Sequence, residues 1–447
     1  MSGMEMILSF AKILLVFIPL GLIPVMIFLE RKGAAVIQDR VGPNRAGIRI
    51  FGVEIRGFGM VHNFSDVVKL IFKEDFIPAH AHKAFYVFAP MIPVMVAVMT
   101  PALIPWFGPM ASITGSSLNG AVLDFNVGLL FLFAMSALSV YGIVIGSWAS
   151  NSKYSLLGGM RSSAMMISYE VSMGLSILGL ILIIGSFNMT QIVEWQSNYT
   201  WGIVVQPVAF FLFLAAMFAE TGRTPFDVAE GESEIVGGFH TEFSSIKFAL
   251  YFMGEYAHVV IASALMATLF FGGYDLLPIP GFGGNFIADN LGYVLAVVLV
   301  GKVAIFWGLA ALISRQRRRY RTLKASDADG KEREYSLMRF VVFSLGVVCL
   351  LGAVLAAWLI GRPERALTAE GSFVHADWVG VLTAFVQIGV VLAKTLFFCW
   401  LFVWVRWTVP RLRYDQIMDL GWKVLLNVAL INLLVTAVIV MLIKEGL

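Results

Sequence analysis

Ten stretches of the chain stay apolar long enough to cross a bilayer, at approximately 8–29, 84–106, 125–149, 162–187, 202–219, 244–272, 291–313, 338–361, 378–405 and 423–443. A spanning helix needs roughly 20 predominantly apolar residues. None of these runs alternates with a period of two, so they predict helices rather than a barrel. One shorter stretch is patterned differently. Over 59–76, Met60, Val61, Phe64, Val67, Val68 and Ile71 recur at helical spacing, while Asp66, Lys69 and Lys73 fall on the other side. That predicts an amphipathic helix on the membrane surface. The second span carries Pro90, Pro93, Pro101 and Pro105 and is expected to be kinked or broken. The expected fold is an all-α integral membrane protein, a polytopic bundle of about ten transmembrane helices with a surface helix in its first polar loop (30–83).

Composition agrees: 59% of the 447 residues are hydrophobic and 14% charged, with a mean hydropathy of +0.84. Nearly all of the chain is expected within the bilayer. The basic residues orient it. Of 32 Lys and Arg, 24 fall in 30–83, 150–161, 220–243, 314–337 and 406–423, against three (Arg362, Arg365, Lys444) in the loops and tail on the other side. The positive-inside bias places the rich side in the cytoplasm and both termini outside. The first apolar run is too long for a signal-peptide core and lacks a small-residue cleavage site, so it is expected to stay. Cys349 and Cys399 have no metal or cluster spacing, and no phosphate loop, dinucleotide fingerprint or H-E-x-x-H is present. No redox centre is expected on this chain, and no nucleic-acid partner.

Candidate chemistry gathers in 220–243, ETGRTPFDVAEGESEIVGGFHTEF. Six carboxylates (Glu220, Asp227, Glu230, Glu232, Glu234, Glu242) face one cation, Arg223. Crowded carboxylates do not all ionise cheaply, which points to proton handling; a solvated connecting loop is the plainer reading. Thr-Pro-Phe and Gly-Gly shape the backbone here, and flanking spans add acids of their own. Glu170 lies about eight residues into the fourth span, about 12 Å deep, and Glu255 lies near the middle of the sixth. A carboxylate at such depth costs several kcal/mol unless neutral, paired or wetted. With Glu220 at the mouth of the fifth span, the two read as stepping stones. His258, one turn from Glu255, reads as a packed histidine. Near the first span, Arg31, Arg40 and Arg45 surround a Gly42-Pro43-Asn44 turn, either as interfacial anchors or as a doorway for an amphipathic or anionic ligand.

Five motifs in this order (ERKGAAVIQDRVGPNRAG, RSSAMMISYE, AETGRTPFDVAEGESEIVGGFHTEF, KFALYFMGEYAH and KTLFF…RWTVPRLRYDQIMDLGWK) resemble the quinone-site membrane subunit family of respiratory complex I, the proton-pumping NADH:quinone oxidoreductase. The resemblance covers residues 1 to about 275 and about 385 to 447. It implies a non-redox subunit that forms the membrane side of a quinone chamber. Quinone, ubiquinone or menaquinone, would be substrate at a shared site, and the iron–sulfur clusters and FMN would belong to partner subunits. The implied partners are hydrophilic quinone-site and iron–sulfur subunits, small membrane subunits and antiporter-like subunits, with membrane lipid around them. By resemblance, Arg31, Arg40, Asp66, Arg223 and Phe226 belong to the chamber and its entrance. Glu220, Asp227, Glu230, Glu232 and Glu234 belong to the acidic loop, and Glu170, Glu220 and Glu255 to a carboxylate path with Tyr169 and Tyr141 as polar companions. A bacterial cytoplasmic membrane is implied, with a mitochondrial inner membrane as the alternative.

The chain also departs from the family. Its pattern usually has eight spans; here an inserted pair occupies 285–375, expected to be a peripheral hairpin. The first loop is lengthened around Phe51–Phe58, and His62-Asn63 replace the usual Gln-Pro. No carboxylate stands in the third span, so Tyr141 and water are expected to bridge the path there. Two other classes compete: the equivalent subunit of a membrane-bound hydrogenase, and a stand-alone proton-coupled transporter. The arginine-rich first loop and full acidic loop favour the quinone enzyme, and large cytoplasmic loops with no evident repeat speak against the transporter.

Overall fold

The computed structural model describes residues 3–38, 40, 42–43, 46–50, 53–55, 59–111, 117–228, 237–279, 284–321, 328–361, 363, 365–367, 373–375 and 377–445. The chain divides into two units: Met1–Pro109 with Asn119–Pro280 and Gln387–Leu447, and Met110–Leu118 with Gly281–Val386.

In the first unit, α1 (Gly3–Val16) and α2 (Ile18–Ile37) form one apolar run bent by 44°. The bend has a local cause. Pro19 has no N–H to continue the helical ladder, and the chain tightens at Phe17, whose N–H reaches the Leu14 carbonyl. A hairpin of β1 (Ile48–Ile50) and β2 (Val53–Ile55) follows in the lengthened loop, then the amphipathic helix α3 (Val61–Phe72). The proline-rich second span is broken as expected, into α4 (Lys83–Phe88), α5 (Met91–Met99) and a 3₁₀ turn at Thr100–Leu103. Next come α6 (Gly128–Ala149), α7 (Lys153–Ile184) and a surface helix α8 (Met189–Asn198). Asn188 caps α8 by accepting from the N–H groups of Thr190 and Gln191.

The fifth span differs from a simple helix. It is α9 (Gly202–Val205) and α10 (Pro207–Glu220), broken at Gln206, so its main helix has only 14 residues. α11 (Ser245–Phe270) is the most enclosed span, and α7 and α11 organise the core. α7 packs on α6 and α10, and α11 on α2 and α5. Small side chains let α7 approach closely: Ser162, Ser172 and Ser176 are buried along it.

The second unit holds α12 (Gly284–Asp289) and a long hairpin of α13 (Leu291–Arg321) and α14 (Ala328–Leu359), with short ribbons β3–β4 (Met110–Ala111, Ser117–Leu118) and β5–β6 (Arg365–Leu367, Phe373–His375). Within it Trp307 stacks on Phe343, ring centroids 5.7 Å apart. Gly346 makes room: a Cβ there would lie 2.4 Å from Trp307 Nε1. Lys302 is exposed partway along α13. The chain then passes through α15 (Asp377–Thr408) back into the first unit, where α16 (Tyr414–Asp419) runs through a π turn into α17 (Leu426–Glu445). Among the described residues eight helices are long and apolar enough to cross a membrane, nine with the bent α1–α2 pair, and the shorter α10 accounts for the tenth apolar run.

The outer end of α11 is closed by a cation. Lys394 Nζ donates to the carbonyls of Phe271 (2.6 Å), Gly273 (2.8 Å) and Asp275, and lies 4.6 Å from the centre of the Trp201 ring. A positive charge there satisfies carbonyls the helix leaves open and complements its dipole. Burial pushes the Asp275 carboxyl, in the loop beyond α11, up to about 7, with the Lys394 ammonium opposing. A carboxyl that holds its proton more tightly when folded adds stability at low pH, and that stability is lost as pH rises through about 7. Asp275→Asn is therefore expected to flatten the pH dependence of thermal unfolding in detergent between about pH 4 and about pH 7. An unchanged slope contradicts the assignment.

Candidate functional site

The site is built on a buried charge cluster. Glu30, near the polar end of α2, is only 8% exposed. Its Oε1 meets Arg406 of α15 at 2.6 Å, and its Oε2 accepts from the Tyr256 hydroxyl at 2.7 Å and lies 3.7 Å from Arg223. Arg223 also covers the Tyr256 ring at 4.3 Å. Two guanidinium groups beside one carboxylate, with a phenol donating to it, offset the cost of taking the acid out of water. The cluster ties α2, α11 and α15 to the start of the acidic loop.

That loop is held along its first residues. The Phe226 N–H donates to the Arg223 carbonyl, the Leu412 N–H to the Pro225 carbonyl, and the Arg411 guanidinium to the Asp227 carbonyl. The buried Phe226 ring meets Tyr169 edge-on at 5.1 Å, and the Tyr169 hydroxyl donates to the Ile417 carbonyl at 2.8 Å. Tyr169 thus links the start of the loop to α16. Glu230, Glu232 and Glu234 lie outside the described residues.

On the same polar side, α3 is docked against α2. Arg31 pairs with Asp66 at 2.5 Å, both side chains partly exposed. The two residues that depart from the family pattern do the docking. Asn63, buried, donates to the Pro24 carbonyl at 2.7 Å, and His62 Nε2 accepts from the Ala46 N–H at 3.1 Å. At the far end, Ser245 donates to the Leu70 and Lys73 carbonyls and Lys247 pairs with Asp75. So held, α3 leaves its apolar side uncovered by the chain: Phe64, Val67, Val68 and Ile71 are each more than half exposed. Arg40 is exposed, bonded to Gln38 at 2.6 Å, and belongs to neither the cluster nor the α2–α3 pair.

The intramembrane acids converge. Glu220 closes α10, and two cavities of about 30 Å³ each meet at it. One is lined by Glu220, Glu255, His258, Ser139, Ser162 and Tyr251, the other by Glu220, His258, Ser136, Thr100 and apolar neighbours. Glu220 Oε2 and His258 Nε2 are sealed from solvent, and among the described residues neither has a hydrogen-bond partner. A polar cavity of this size takes roughly one or two waters, which would satisfy both atoms. Glu170 lines neither cavity but is close enough to Glu220 to repel it.

One expectation is overturned. Tyr141 is 59% exposed and lines neither cavity, so it does not bridge the third span. Its position in α6 faces outward; Ser136 and Ser139 of the same helix take that place. His258, expected as a packed histidine, lines both cavities. Sequence reasoning missed Glu30, Arg406, Tyr256 and Arg411, whose partners lie far away in the chain. The signal available was Glu30 at the edge of an apolar run. Among the described residues no group of three or more His, Cys, Asp or Glu could hold a metal ion.

Comparison with known proteins gives a consistent picture. The sequence matches the NADH dehydrogenase family over residues 11–331 and 328–437. It is 35% identical over 415 residues to an H subunit of NADH-quinone oxidoreductase from Cytophaga hutchinsonii, covering 93% of this chain and 91% of that one. It is 36% identical over 441 residues to an H subunit of NADH-quinone oxidoreductase from Geobacter metallireducens, 98% of each. It is 37% identical over 418 residues to NADH-quinone oxidoreductase subunit 8 of Rhodothermus marinus, covering 92% of this chain and 91% of that one.

The charge cluster makes a direct prediction. Glu30→Gln keeps the shape but leaves Arg223 and Arg406 facing a neutral amide, at an expected cost of roughly 3–5 kcal/mol. Less folded protein should accumulate, and 220–243 should become more sensitive to protease. Adding Arg406→Met should recover part of the loss; wild-type yield and cleavage in Glu30→Gln alone would contradict the cluster's role.

Proposed function

The chain belongs to the NADH dehydrogenase family that includes the H subunit of NADH-quinone oxidoreductase, a membrane subunit of complex I, and on that premise we propose that it forms the membrane-side wall of the quinone chamber and carries a carboxylate path coupling quinone reduction to proton translocation. The uncovered apolar side of α3, flanked by the Arg31–Asp66 pair, suits an isoprenoid tail entering from the bilayer. Arg223 and Phe226 stand beneath the chamber, and Arg40 lies near its entrance. Neighbouring subunits supply the electrons from FMN through iron–sulfur clusters.

Reduction of a quinone to its quinol takes up two electrons and two protons. The change in charge and proton demand falls on the acidic loop (Asp227, Glu230, Glu232, Glu234), which Arg223 and Arg411 connect to the rigid bundle. Glu220, at the inner end of that loop, takes up or releases a proton in response. Water in the two adjoining cavities then carries the change past His258 to Glu255, and Glu170 senses it by repulsion. The readout at distant pumping subunits follows as population shift through linked sites. The observation that carries this reading is the meeting of two water-sized cavities at the carboxyl of Glu220 and the imidazole of His258.

The setting proposed is a bacterial cytoplasmic membrane with both termini outside, among hydrophilic quinone-site and iron–sulfur subunits, small membrane subunits and antiporter-like subunits. The tagged chain, gently purified, is expected to bring iron–sulfur and flavin subunits and inhibitor-sensitive NADH:quinone reductase activity. Co-purification with a nickel hydrogenase and no quinone activity would overturn the reading. Within the assembled complex, Glu220→Gln and Glu255→Gln should each lower proton pumping and quinone reductase activity together, by about tenfold or more. Normal pumping by an assembled variant would remove that residue from the path.

A further inference from the structure

The second unit has a cavity that the coupling machinery does not use. It lies between α13 and α14, has a volume of about 560 Å³, and is lined among others by Trp307, Ser314, Ser336, Arg339, Phe340 and Phe343. That volume is within the usual range for small-molecule sites, roughly 300–1,000 Å³. All lining residues come from this one hairpin.

Its lining is ordered by depth. The apolar part of α13 gives way to the basic run that opens at Arg315, and that of α14 begins just after Arg339; basic residues flanking apolar spans place these arginines at the bilayer border. Ser314, Ser336 and Arg339 sit at that border. Trp307, seven residues before Ser314, lies about 10 Å deeper, and Phe343 stacks on it. The cavity is therefore cationic and hydroxylic at headgroup level and aromatic below. The absent side chain at Gly346 lets Trp307 pack closely against α14.

Charge sets the sign of the ligand. Residues 315–339 contain nine Lys or Arg against four Asp or Glu. Among the described residues Arg339 has no carboxylate partner. The Ser314 hydroxyl already donates to the Ala310 carbonyl at 2.7 Å, so Arg339 and Ser336 are the free donors. We infer that the cleft binds an anionic phospholipid of the surrounding leaflet, its phosphate at Arg339 and Ser336 and an acyl chain along Trp307 and Phe343. The lipid has the same succession of charge, ester and hydrocarbon as the cleft, and basic pockets between helices at the cytoplasmic border suit such headgroups. An apolar helix from a neighbouring subunit would leave Arg339 unpaired against hydrocarbon.

Phosphatidylglycerol and phosphatidylcholine, each with a photoactivatable group on an acyl chain, test this on the whole complex reconstituted in nanodiscs, with labelled peptides mapped by mass spectrometry. Phosphatidylglycerol should label peptides containing Trp307 or Phe343 about fivefold more than phosphatidylcholine. Unlabelled phosphatidylglycerol should displace that label, and unlabelled phosphatidylcholine should not. Arg339→Gln should reduce phosphatidylglycerol labelling to the phosphatidylcholine level, while Arg339→Lys should retain most of it. Equal labelling by both lipids, or unchanged labelling in Arg339→Gln, overturns the proposal. So does crosslinking of these peptides to another subunit with no lipid label. The displacement measurement needs no substitution, so it decides the matter even where a variant does not assemble.

Discussion

A single buried carboxylate, Glu30, holds the polar end of the bundle together. Two arginines from distant parts of the chain and the phenol of Tyr256 converge on it. An isolated charge at this depth would be costly; with its partners in place it fixes α2, α11, α15 and the start of the acidic loop relative to each other. The cost of breaking such a set is what makes it a positioning device. Arg223 belongs at once to the cluster and to the loop, so any movement of the loop is felt at the root of three spans.

Above the cluster, the structure separates rigid packing from polar space. Phe210, Phe213, Phe270 and Phe398 pack the outer half of the core around α10 and α11. Nearer the loop, serines on α6 and α7 face Glu220, Glu255 and His258 across cavities sized for water. The short α10 matters here: because it stops at Glu220, the carboxyl lies where the helix ends and polar space begins. Lys394 seals the outer end of α11 against backbone carbonyls.

Hydropathy reads depth well and azimuth poorly, and the outcome follows that division. The ten apolar runs all became helices, and the prolines of the second span broke it where a missing N–H must. The acids Glu170, Glu220 and Glu255 stood out because charge is rare at their depth. Tyr141 was misjudged because its depth is right and its face is wrong. Glu30 and Arg406 each looked like ordinary residues at the border of a span, and only the fold shows that they meet. The break at Gln206 had a local signal that the apolar length of 202–219 masked: Gln206 precedes Pro207, and a residue before proline is pushed out of the helical region, while its bond to Thr436 is visible only in the fold.

The central claim is that quinone reduction changes the protonation of carboxyls around Glu220. Redox-induced infrared difference spectroscopy of the complex tests it most directly, with glutamate carboxyls isotopically labelled. The account predicts a carboxylic acid band that changes on quinone reduction, shifts with the label, and is lost in Glu220→Gln. The same difference band in wild type and Glu220→Gln would contradict it.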